Sequence, residues 1–125
     1  MHASLERNLE RTDEILKGDE TEKMIDLDKE FHYVLYRASR SKKLYQICKT
    51  LSDHTLKFRI ACIHTPEVAQ RTREGHYGIY QAIRSGDAEK VDACIERHIL
   101  VTKDDILNFL RQMRQESFLN QDFEL

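Results

Sequence analysis

Proline occurs once in this 125-residue chain, glycine four times and tryptophan not at all. Such scarcity of backbone breakers excludes collagen-like and Pro/Gly-rich disordered classes and leans toward helix. The three cysteines, Cys48, Cys62 and Cys94, are odd in number and stand 14 and 32 residues apart. That spacing fits neither a disulfide framework nor a CxxC zinc or redox pair, and a reducing cytoplasm is the compartment it implies. No apolar run approaches the ~20 residues that cross a bilayer, and Met1–Arg7 holds no signal-peptide core. Neither sign of charge dominates: 20 Lys plus Arg against 22 Asp plus Glu leave a formal charge of −2. That balance offers no global attraction to a polyanion, so nucleic-acid binding by this chain alone is disfavoured.

What is present is apolar spacing at three and four residues, divided by turn signals into five segments of one domain spanning 1–125. The expected fold is all-α, an antiparallel bundle of about five helices. The first helix runs from Ser4 to Lys17 and stops at Gly18, a residue suited to the left-handed conformation that follows many helix ends. Asp19 or Thr21 then caps a second helix over Glu22–Ser39, with Met24, Leu27, Phe31, Val34 and Leu35 on one face. A third covers Lys42–Ile63, with Leu44, Ile47, Leu51, Phe58, Ala61 and Cys62 near one side. Thr65 as N-cap and Pro66 at the first helical position open a fourth, which Ser85-Gly86 closes. Asp87 caps the fifth, Ala88 to about Gln115 and ~42 Å long, leaving a C-terminal tail from about 116.

Four ionisable residues interrupt the apolar stripes, where each would carry its own desolvation cost unless paired. Asp28 and His32 stand four apart and project from adjacent turns of the second helix. His76 holds a core position between Thr72 and Ile79, beside a Gly75 that costs roughly 1 kcal/mol inside a helix and so implies a close helix contact. His98 follows Val91 and Ile95 on the inward face of the last helix. Carboxylate and imidazole suit a divalent transition metal, and one ion would satisfy all four; zinc is the first expectation, with nickel, manganese and iron also compatible. The competing account pairs Asp28 with His32 and leaves His76 and His98 to backbone or water. His54 is a reserve ligand, whereas His2 and His64 read as exposed. Arg59 is either half of a surface salt bridge or an interior clamp for a carboxylate. The signatures HExxH, GxSxG, GxGxxG and Walker A are absent, as are the Glu-x-x-His pairs of di-metal bundles.

The run Asp28-Lys29-Glu30-Phe31-His32, with Leu35 and Ala38-Ser39, is followed by Glu74-Gly75-His76, Gln81-Ala82-Ile83, Ser85-Gly86-Asp87 and His98. Over Leu5 to Phe109 this pattern, D-x3-H, then H-x-x-I-x-x-A-I-x-x-G-D, then a histidine 22 residues on from His76, resembles the FCD domain of FadR-subfamily GntR transcription regulators. It departs at Ser41, where the family often has Asn. The resemblance implies an effector-binding domain in which Asp28, His32, His76 and His98 hold the metal. It also implies homodimerisation, and DNA contact only through a winged helix-turn-helix for which nothing before Ser4 provides. Three imidazoles and one carboxylate on a divalent ion leave about one net positive charge and vacant coordination positions, which suits a small carboxylate effector with Arg59 as second anchor. The reading from a different class is a small helical metallohydrolase using the same centre, for which no general base is evident.

Overall fold

The computed structural model describes residues 1–18 and 20–123, with side chains to Ser117. Among the described residues there are five α-helices and no strand: α1 (His2–Lys17), α2 (Met24–Ala38), α3 (Lys42–Ile63), α4 (Pro66–Ser85) and α5 (Ala88–Phe123), with a 3-10 turn over Thr21–Lys23 before α2. None is long and apolar enough to cross a membrane.

The corners follow their local chemistry. Ser41 is extended and its hydroxyl accepts from Leu44 N at 3.1 Å, capping α3. Gly86 takes the left-handed φ of 73° that ends α4, and Asp87 Oδ1 accepts from the Glu89 and Lys90 amides at 3.0 and 3.3 Å to start α5. Three expected devices differ. Gly18 is extended at φ −106°, ψ −174° rather than left-handed, its amide still bonded to Ile15 O. Thr65 stands at the N-cap of α4, but its hydroxyl donates back to Cys62 O instead of capping. Thr21 lies inside the 3-10 turn, not at a cap, and Asp19 lies outside the described residues. The last helix continues past Gln115 to Phe123, ~54 Å in all, so helix occupies the span expected as tail from about 116; the side chains of Phe118, Leu119 and Phe123 lie outside those described.

Side-chain pairs set the directions. Glu6 meets Tyr80 and Asp13 meets Arg73, so α1 runs against α4. Asp28 meets Arg59 and Tyr33 meets Asp53, reversing α3 on α2. Gly75 faces His98 and Arg71 binds Asp105, reversing α5 on α4. In that register Pro66 falls opposite about residue 110 of α5, which explains why residues 110–117 are all exposed.

One core cluster joins Leu5, Leu9, Phe31, Ile79 and Tyr80, and a second joins Met24, Ile63 and Ala69. Asn8, fully buried, donates to Leu27 O at 2.9 Å and to Glu30 Oε2 at 2.8 Å, tying α1 to α2. The face of α3 differs from expectation. Leu44, Ile47 and Leu51 are about half exposed or more, whereas Ser52 and Arg59 are buried along with Cys62 and Ile63. The inward side of α3 is polar from Ser52 to Arg59, where Arg59 meets the carboxylate of Asp28, and apolar at Cys62 and Ile63.

Candidate metal centre

Phe31 carries the core to the site: its ring stacks on His76 with centroids 4.0 Å apart and planes 1° from parallel. His76 is buried on α4, His98 buried on α5 and His32 partly buried on α2. One donor nitrogen from each of the three lies within 4.8 Å of the other two. Asp28, one turn before His32 and almost fully buried, puts Oδ1 3.3 Å from His32 Nε2 and 3.3 Å from His76 Nε2.

Those 3.3 Å separations are ion-pair distances without hydrogen-bond alignment, and buried His76 Nε2 has no hydrogen-bond partner. An orphaned imidazole nitrogen in the interior is costly. Donors around a tetrahedral ion bound at ~2.0–2.1 Å stand about 3.3–3.4 Å apart, the separation that Oδ1 keeps from both nitrogens. The residues present therefore fit a divalent metal held by imidazole and carboxylate.

The electrostatics agree with neutral imidazoles at His76 and His98. Burial lowers the pKa of His98 to about 3, with the neighbouring His76 and His32 adding to the effect. Burial also lowers that of His76, against the pull of Asp28. For Asp28 burial pushes upward, but the contacts with His32 and His76 outweigh it and hold the carboxyl well below its usual range. Neutral imidazole and ionised carboxylate are the ligating forms.

Gly75 is the small residue that brings α4 and α5 together here. A Cβ on it would overlap His98 Nδ1 and stand 3.3 Å from Cε1 and Cγ. The expected close helix contact is thus with the ring of His98.

Arg59 is not a surface salt bridge but a buried arginine that clamps a carboxylate of the chain itself, that of Asp28. Its Nη1 donates to Asp28 Oδ2, and its Nη2 donates to Ser52 O at 3.2 Å and Ser52 Oγ at 2.9 Å, while Nε has no partner. Asp28 therefore faces the histidines with one oxygen and Arg59 with the other. Ser52 was not anticipated from sequence. The available signal was its spacing of seven from Arg59, which puts both on one helix face. His2, His54 and His64 are exposed and take no part.

The sequence model of the FCD domain matches residues 1–100. The chain belongs to the FCD family. It is thereby a ligand-sensing regulatory domain of GntR-family transcription regulators, an effector-binding rather than a catalytic class. The matched span contains all of α1 to α4 and the part of α5 that carries His98, so the FCD match and the histidine cluster coincide. No curated protein and no solved structure gives a significant match beside it.

Proposed function

We propose that this FCD chain acts as one effector- and metal-binding domain in which Asp28, His32, His76 and His98 hold a divalent transition metal, with a small carboxylate as effector. The observation that carries the reading is the convergence of one nitrogen from each of three imidazoles within 4.8 Å, with Nε2 of His32 and of His76, the latter without a hydrogen-bond partner, each 3.3 Å from one carboxylate oxygen. When bound, the metal supplies positive charge and coordination positions for effector oxygens. Zinc suits the donor set, as do nickel, manganese and iron.

Arg59 serves as the second anchor of the carboxylate. Its buried Nε has no partner, and its Nη1 already ties α3 to Asp28 on α2. An effector carboxylate that draws on Arg59 competes with Asp28 and Ser52 and so changes how α3 is held. That differential interaction is what a sensing domain needs to bias two arrangements. In the regulator, the change reaches DNA through a separate DNA-binding domain. Homodimerisation is part of the same proposal, with exposed Leu107, Leu110 and Met113 of α5 available to a second subunit.

Elemental analysis of the purified protein, followed by calorimetric titration of small mono- and dicarboxylates into metal-loaded and chelated samples, tests the reading. We expect close to one metal per chain and carboxylate binding only in the loaded form. Equal binding by chelated protein refutes metal-mediated sensing, and turnover of the bound acid favours a hydrolase.

A further inference from the structure

At the corner between α2 and α3, where Arg37 stands about 7.5 Å along α2 from His32, lies an open cavity of about 450 Å³ lined by Arg37, Arg40, Ser41, Lys42, Tyr45 and Gln46. Its volume is in the range of small-molecule sites, and none of its lining residues belongs to the histidine cluster. Between Glu30 and Asp53 the chain has no acidic residue, although it has 22 overall. Arg37, Arg40, Lys42 and the adjacent Lys43 form no ion pair among the described residues. Positive charge is thus concentrated at one cavity of a chain whose net charge is −2.

Two further features fit a ligand with both an anionic and a planar part. The guanidinium of Arg37 stands 5.9 Å from the ring centroid of Tyr45, so the wall combines a cation with an aromatic face. Arg40 has φ 56°, the one non-glycine residue with positive φ among those described. Left-handed backbone is strained for an ordinary residue and costs glycine almost nothing. Arg40, which lines the cavity, is thus held in a backbone conformation that glycine would adopt more easily.

The geometry points to a second binding site here, for a small organic phosphate monoester. Its phosphoryl group engages Arg40 and Lys42, and its organic part lies against Tyr45 and Arg37. Arginine forks match phosphate oxygens, and a doubly charged head group answers several cations better than a single carboxylate does. The chain's net charge of −2 offers no global attraction to a phosphodiester polymer, which favours a small molecule.

The test is titration of ¹⁵N-labelled protein at low salt with phenyl phosphate, inorganic phosphate and a short DNA duplex, read from amide shifts. We expect saturable shifts centred on residues 37–46, with phenyl phosphate binding tighter than inorganic phosphate. Arg40→Gly should weaken phenyl phosphate at least tenfold while leaving the melting temperature equal or higher, because it removes the backbone cost. Lys42→Gln, at an exposed first-turn position, should give a similar loss if the corner of the glycine variant rearranges. Shifts centred on His32, His76 and His98, unchanged affinity in both variants, absence of saturable binding, or duplex binding without phenyl phosphate binding would each overturn the proposal.

Discussion

Arg59 on α3 and Asp28 on α2 form a buried ion pair in which Nη1 meets Oδ2, while Oδ1 stays turned to His32 and His76. A single carboxylate thus links the position of α3 to the histidine cluster. Both partners are shielded from solvent, at 8% and 3% exposure. Desolvation offsets much of the attraction within such a pair, whereas removing either half strands a buried charge and is strongly destabilising.

In chelated protein, Arg59→Ala should destabilise the fold by ~3–5 kcal/mol, because it leaves Asp28 buried without its cation. The double variant Asp28→Asn, Arg59→Met should recover much of that loss. Urea unfolding of the parent protein and both variants checks these statements. A loss below 1 kcal/mol for Arg59→Ala would place the pair in effective contact with water.

Gly75→Ala should displace His98. Overpacking of this kind costs ~1–3 kcal/mol, which exceeds the ~1 kcal/mol that alanine gains over glycine in a helix interior. The expected outcome is a lower melting temperature together with reduced metal content by elemental analysis. A variant that melts higher and binds a full complement of metal would show that the helices separate at little cost.

Acid should weaken the chelated protein well above the usual carboxylate range. His98 has a folded-state pKa of about 3, below the ~6.5 of an unfolded histidine. The unfolded chain therefore takes up the proton first. The stability contributed by neutral His98 is present above pH 6.5 and is lost as pH falls from there toward 3. His76, also lowered by burial, acts in the same sense. Asp28, held low, adds its loss only below about pH 4, as the unfolded carboxyl protonates. Denaturant midpoints measured from pH 8 to 4 should fall steadily below 6.5, and His98→Asn should flatten part of that slope. A flat profile in the parent protein would mean that the imidazole reaches water.

Removing the metal should lower thermal stability. An ion that binds only the folded chain contributes ~2.7 kcal/mol when present at one hundred times its dissociation constant. Calorimetric scans before and after chelation measure this directly, and restoring the ion should restore the melt. Identical scans after verified removal would argue against fold-coupled binding.

Local chemistry made much of this protein legible from its residues. Ser41, Thr65-Pro66 and Ser85-Gly86-Asp87 place the bounds of α3 and α4 where the structure has them, because helix ends are decided by residues within a turn of them. The four-residue step from Asp28 to His32 places both on one face of α2 for a similarly local reason, the helical repeat itself. The end of α5 was less legible, since nothing after Gln115 stops a helix and the apolar period there fades.

Tertiary structure decided what no single helix contains. Periodicity reports the faces of one helix but not which face meets which neighbour, and the apolar side of α3, with Leu44, Ile47 and Leu51, is left largely exposed. Its polar side turns inward because Asp28, already buried by the packing of α2, requires the charge of Arg59. The role of Ser52 in holding that arginine, and of Gly75 in admitting His98, depends on contacts made between helices that are distant in the chain. Residue type and spacing established which groups are available for a metal; the register of α2, α4 and α5 against one another established that three imidazoles and a carboxylate come together.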